Sequence, residues 1–181
     1  YRSACLFACL CNDLSVCALL ARDNHGCSRV VVLDLDVHQG DGTASILEDE
    51  DGITTISVHC KQNFPFRKTD SDYDLVVEAG SGDDEYLSVI DDAMTIVERY
   101  EPDVILFQAG VDGLSEDALG RLELSREGMR YRNKKVFDYV LESQVPCVVF
   151  MGGGYSDPID HTVDALMDLF RGAANVKSLL S

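Results

Sequence analysis

Asp34, Asp36, His38 and Asp41 crowd into one short stretch directly after the apolar run Val30-Val31-Val32-Leu33. Such an unbroken β-branched run reads as a buried parallel strand, and open α/β sheets bind their ligands beyond the carboxyl ends of these strands. In an extended segment alternate side chains share a face, so Asp34, Asp36 and His38 point one way while Leu35 and Val37 turn into packing. Asp36 and His38 can therefore share one cation. A third ligand is offered at Gln108-Ala109-Gly110-Val111-Asp112, where another apolar strand ends in a carboxylate. Two carboxylates and one imidazole around a divalent ion leave a position for water, the donor pattern of a catalytic rather than a structural zinc site. A third strand end carries Gly152-Gly153-Gly154-Tyr155. Glycines there let the backbone approach closely and aim a phenol at whatever lies above the metal.

Each piece also has a plainer reading. Asp34 can cap a turn, Asp112-Gly113 is an ordinary turn dipeptide, and three glycines before a tyrosine also suit a phosphate loop or a tight bend. Only the combination is specific. His25, His59 and His161 stand outside it and read as surface or core histidines.

The elements that must position these residues alternate along the chain. Strands are expected at Val30–Asp36, Ile53–His59, Asp74–Val77, Asp103–Gln108 and Cys147–Met151. A short helix is expected at Gly42–Leu47. A longer one over Asp84–Tyr100 has Leu87, Ile90, Ala93, Met94 and Val97 at helical spacing and is closed by Pro102. Ser125 reads as the N-cap of a helix running to Ser143, and Asp160–Phe170 as the last helix. This order implies a three-layer α/β domain, a mostly parallel sheet with helices on both faces, filling residues 1–181 without a linker.

Of the 181 residues 46% are hydrophobic, enough for one substantial core, and the formal net charge is −17. That charge argues against direct nucleic-acid binding, which needs basic patches. Ala4–Ala21 is largely apolar, but Asn12-Asp13 interrupts it and no basic segment precedes it, so a helix packed on the sheet is expected rather than a membrane anchor. Four of the seven cysteines, Cys5, Cys9, Cys11 and Cys17, lie close together without a CxxC pair. Buried free thiols in a reducing compartment are expected rather than a metal knuckle.

The segments Leu33–Thr43 (LDLDVHQGDGT), Ser57–Cys60 (SVHC) with Asn63–Phe66 (NFPF), Gln108–Asp112 (QAGVD) with Leu119-Gly120, and Gly152–Tyr155 (GGGY) resemble the zinc-dependent histone deacetylase family. The stretch Asn63–Lys68 is most similar to its class IV branch. The resemblance implies the arginase/deacetylase fold, with this chain as its C-terminal larger part and an N-terminal portion missing, in keeping with a first residue, Tyr1, that is not methionine. It implies Asp36, His38 and Asp112 as ligands of one catalytic Zn2+, and Tyr155 as the group that polarises the acetyl carbonyl and stabilises the oxyanion. Asp34 and Asp41 match the carboxylates that orient two active-site histidines. A structural K+ is implied near Asp34, Asp36, Ser57 and Val58. Phe64, Phe66 and Gly153 are implied as walls of an acyl-lysine tunnel. The implied substrate is an acetylated lysine of a histone or other protein, in the nucleus and/or the cytoplasm.

One departure stands out. The family's general base is a pair of adjacent histidines ahead of a motif like Cys11-Asn12-Asp13, and this chain has no such pair, while Ala8 stands where an aromatic wall residue is usual. The chain is therefore expected to bind zinc but deacetylate poorly. A non-catalytic interaction module is one alternative. Another is a haloacid-dehalogenase-like phosphatase with Asp34 as nucleophile and Asp36 as general acid, though His38 stands where that family has Thr or Val. An arginase-type binuclear site is less well matched, since Gly40 and Leu114 occupy the positions of its extra carboxylates.

Overall fold

The computed structural model describes residues 11–180. Five parallel strands, β1 (Val30–Asp34), β2 (Ile53–Cys60), β3 (Tyr73–Val77), β4 (Val104–Gln108) and β5 (Cys147–Phe150), form one sheet in the order β3-β2-β1-β4-β5. The helices are α1 (Asp13–His25), α2 (Asp41–Leu47), α3 (Asp83–Tyr100), α4 (Arg126–Ser143) and α5 (Asp160–Leu180).

β1 is central because all five of its residues are buried and both of its edges are paired. Its side chains alternate between two cores. Val30 and Val32 meet Leu14 and Ala18 of α1 and Leu47 of α2 on one face. Val31 and Leu33 join the larger core on the other face with Ile90 and Val97 of α3, Val136 of α4 and Leu169 of α5. The expected three layers are thus present.

The chain leaves β1 through α2 to β2 on one side and returns through α3 to β4 on the other. The strand order therefore reverses between β1 and β4, and a crevice opens beyond their carboxyl ends. Leu33 pairs with Phe107 and Asp34 with Gln108, so the two strands end level.

Local signals account for most of the boundaries. Ser125 caps α4 by accepting from the Gly128 N–H at 3.0 Å, as its position before an amphipathic run predicts. Asn12 caps α1 by accepting from the Ser15 N–H at 2.8 Å, and its amide donates to Thr43 Oγ1 at 2.9 Å, tying α1 to α2. Two expectations are corrected. α5 continues ten residues beyond Phe170, because Ala173 and Val176 extend its apolar stripe along the core. In α3 the buried stripe begins at Tyr86, with Leu87 only partly covered.

The link from β2 to β3 carries no helix, so side chains hold it instead. Gln39 donates to the Thr69 carbonyl and to Asp74 and accepts from the Thr69 N–H. Asp72 accepts from both the N–H and the hydroxyl of Thr55, each at 2.8 Å.

No helix among the described residues is long and apolar enough to cross a membrane. The five described cysteines are free thiols, but only Cys60 is fully buried and Cys11 is exposed, which corrects the expectation of uniformly buried thiols. Cys5 and Cys9 lie outside the described residues. Burial pushes the Cys147 thiol up to about 12. Thiolate is the reactive form, so at pH 8 iodoacetamide is expected to label Cys11 within minutes and to leave Cys147 largely unmodified until the chain is unfolded, as read by peptide mass mapping.

Candidate metal centre

β1 ends at Asp34, two residues earlier than expected, because the next backbone N–H groups turn from the ladder to carboxylates. Leu35 N still donates to the Gln108 carbonyl at 3.0 Å. Asp36 N then donates to Asp34 Oδ1 at 3.1 Å, Val37 N to Asp112 Oδ1 at 3.0 Å, and His38 N to Asp36 Oδ1 at 3.0 Å. Each bond bends the chain over the sheet edge and fixes the carboxylate that accepts it.

The result is a compact donor set. One ligand atom each from Asp36, His38 and Asp112 lies within 4.8 Å of the others. His38 Nδ1 is the inward nitrogen, 3.3 Å from Asp36 Oδ1 and 3.0 Å from Asp112 Oδ2. The Gly153 N–H donates to Asp36 Oδ2 at 2.7 Å, and the Gly153 carbonyl accepts from Val111 N at 2.7 Å. The glycine-rich turn thus closes directly onto the cluster.

That closeness needs hydrogen in place of a side chain. A β-carbon at Gly153 would lie 2.0 Å from Asp112 Oδ2, and one at Gly110 would lie 2.1 Å from Asp36 Oδ2. The carboxylates occupy the space a side chain would take.

The electrostatics mark a group short of positive charge. Burial first, and then the Asp36 charge, hold Asp34 well above the usual carboxylate range, and the same two causes push Asp112 up to about 7. Burial also raises Asp36, but hydrogen bonds with His38, Asp112 and the Gly153 N–H outweigh it and leave it low. Burial lowers His38, yet the two carboxylates overcome this and raise it to about 10. A divalent cation among these donors would meet that excess of negative charge, so the residues present fit one.

The other sequence-derived candidates lie around this cluster. Asp34 is buried beside Gly40, and Asp41 opens α2, where it accepts from the Gly42 N–H. Tyr155 follows the turn, and its backbone N–H donates to Asp117 Oδ2 at 2.6 Å. Phe64 and Phe66 meet edge to face, ring centroids 5.9 Å apart, with Phe66 82% exposed. His59 is buried and contacts Ser57 Oγ through Nδ1, whereas His25 and His161 are exposed.

Three supporting residues escaped the sequence reading. Asn63 is buried, and its amide nitrogen lies 3.3 Å from His38 Nε2 while donating to the Leu119 carbonyl. Asp117 accepts from the N–H groups of Leu119, Gly120 and Tyr155, pinning two loops together. Arg132 is wholly buried behind the cluster. Asn63 stands in a stretch singled out for another reason, but polar residues on loops and helices carry no local mark of such partners.

The histone deacetylase domain matches residues 7–169. The chain belongs to the histone deacetylase family. This deacetylase-family chain is 36% identical over 169 residues to an uncharacterized protein of Picosynechococcus sp., spanning 93% of its own length and 56% of that protein. It is 34% identical over 155 residues to histone deacetylase 2 of Arabidopsis thaliana, spanning 83% and 39% respectively. In fold it is similar to the acetylpolyamine aminohydrolase of Burkholderia pseudomallei, with a TM-score of 0.77 and 21% identity over 91% of this chain and 49% of that one. The HD domain of HDA15 gives a TM-score of 0.76 and 24% identity over 95% and 50%. The chain spans about half the length of these relatives. Membership in this family sets aside the phosphatase reading of Asp34-Leu35-Asp36.

Two outcomes are expected from this geometry. Gly153→Ala should lower stability in EDTA by about 1–3 kcal/mol through overpacking, read from urea denaturation. Burial, and secondarily Lys68, depress His59 to about 4. The unfolded chain takes up that proton near pH 6.5 while the folded chain refuses it until about pH 4. Stability from this source is complete above pH 6.5 and falls by on the order of 3 kcal/mol towards pH 4. His59→Gln should lose less stability than the parent between pH 7 and 4.5 in the same assay.

Proposed function

We propose that this chain is a zinc-dependent hydrolase-type domain directed at the acetyl amide of acetyl-lysine, in histones or other proteins, and that in these 181 residues turnover is impaired. The observation that carries the reading is the convergence of Asp36, His38 and Asp112 within 4.8 Å at two strand ends, in a chain of the histone deacetylase family. A divalent ion held by these three residues would polarise the acetyl carbonyl and make a bound water acidic.

The remaining roles belong to the protein. Asp36 and Asp112 supply charge, and His38 supplies a neutral nitrogen through Nδ1. Tyr155 donates its hydroxyl to the oxyanion that develops as the amide is attacked; its backbone tether to Asp117, beside a turn bonded to Asp36, supports that role. Phe64, Phe66 and Gly153 line the approach of the acyl-lysine. A structural potassium ion near Asp34, Asp36, Ser57 and Val58 completes the reading, supported by the pairing of Asp34 with Ser57 across β1 and β2. The class IV likeness of Asn63–Lys68 and a nuclear or cytoplasmic setting are part of the same proposal.

Asp34 and Asp41 are assigned to orienting histidines that take the water's proton. None of the four histidines, at 25, 38, 59 and 161, is adjacent to another. Positioned acid–base groups contribute about 10²–10⁴-fold, so a second reading, acetyl-lysine binding without turnover, is favoured by that one observation.

The test is metal analysis and hydrolysis of a fluorogenic acetyl-lysine peptide on the purified chain, with Asp112→Ala alongside. About one zinc per chain, lost in Asp112→Ala, is expected, with turnover at least 100-fold below a relative that carries the histidine pair. Asp112-dependent turnover equal to that relative would overturn the impairment, and absence of bound zinc would overturn the metal reading.

A further inference from the structure

Behind the metal centre the guanidinium of Arg132 is fully enclosed by protein. Its Nη1 donates to the Leu35 carbonyl at 3.2 Å and to the Gly110 carbonyl at 2.6 Å. Leu35 immediately precedes Asp36, and Gly110 lies two residues before Asp112. A single nitrogen therefore ties together the two segments that carry the ligands, which the sequence separates by more than seventy residues.

The guanidinium is itself held in orientation. Nε and Nη2 both donate to Asn133 Oδ1, at 3.1 and 2.8 Å, and the Phe107 ring lies 5.7 Å from its centre. The Tyr86 hydroxyl shares the Leu35 carbonyl at 3.5 Å. These four Arg132 hydrogen bonds all go to neutral oxygens, so its charge is not spent on a paired carboxylate there. An uncompensated buried cation costs several kcal/mol. The buried carboxylates of Asp36 and Asp112 belong to the same two segments, and the Tyr86 hydroxyl feels their charge as well as that of Arg132.

We propose that Arg132 is a positioning residue of the metal centre. By fixing the Leu35 and Gly110 carbonyls it sets the separation at which Asp36 and Asp112 present their oxygens, and its fixed charge offsets part of theirs. Residues outside the ligand sphere that orient ligands typically change metal affinity by about 10–100-fold. The inference rests on the metal reading proposed for this site.

The experiment measures Zn2+ affinity by competition with a chromophoric chelator, together with the visible spectrum of the Co2+ form, on the 181-residue chain. The variants are Arg132→Met, Arg132→Lys, Asp112→Ala and, as a control on the same helix, Val140→Ala, a buried core truncation away from the site. Folding is checked by circular dichroism and melting in EDTA. Arg132→Met is expected to weaken zinc binding by about 10–100-fold and to alter the Co2+ bands. Arg132→Lys, which keeps the charge and loses the fork, should fall between Met and the parent. Val140→Ala should lower the melting temperature and leave zinc affinity within about threefold. Unchanged affinity in both Arg132 variants would overturn the proposal, as would an equal loss in Val140→Ala at equal destabilisation. If neither Arg132 variant folds, Asn133→Ala, which frees the guanidinium without removing it, decides by the same criterion. A parent chain that binds no zinc would instead defeat the metal reading and this inference with it, a result the variants alone cannot produce.

Discussion

Three carboxylates, Asp34, Asp36 and Asp112, are buried together at the end of a parallel sheet, and the surrounding structure is organised around meeting their charge. Charge taken out of water has to find donors or a counter-ion. Here the donors are the backbone N–H groups of Asp36, Val37, His38 and Gly153, the His38 imidazole lies between two of the carboxylates, and a cation held there would complete the set.

Meeting that charge shapes the backbone. N–H groups that would have extended β1 turn to side-chain oxygens, and the chain bends over the crevice between β1 and β4. Glycines at 110 and 153 let two loops pass so close that the carboxylates fill the place of absent side chains. Asp117 and Asn63 pin the outer loops, and Arg132 holds the inner ones from behind. The sheet supplies rigidity; the loops supply aim.

The same arrangement places the family's signature segments side by side, although the chain spans only about half the length of the relatives it matches. The candidate donors Asp36, His38 and Asp112 follow the ends of two neighbouring strands, β1 and β4, both within the described residues and both almost wholly buried. The four histidines of the chain, at 25, 38, 59 and 161, are all set apart from one another.

The strands, most helix boundaries and the acidic and imidazole side chains at the strand ends were legible in the sequence because their signals are local. Val30–Leu33 is apolar without interruption, Ser125 caps the helix it precedes, and Asp36 and His38 stand two apart at a strand end. Tertiary structure alone decided that β1 stops at Asp34, since Val37 N bonds to an oxygen of Asp112, seventy-five residues away. It also decided the roles of Asn63, Asp117 and Arg132, whose partners lie on other elements, and the continuation of α5 beyond Phe170, where Ala173 and Val176 pack on the core. Periodicity and capping act between neighbours in the chain, whereas a buried charge is satisfied by whatever the fold brings within hydrogen-bonding distance.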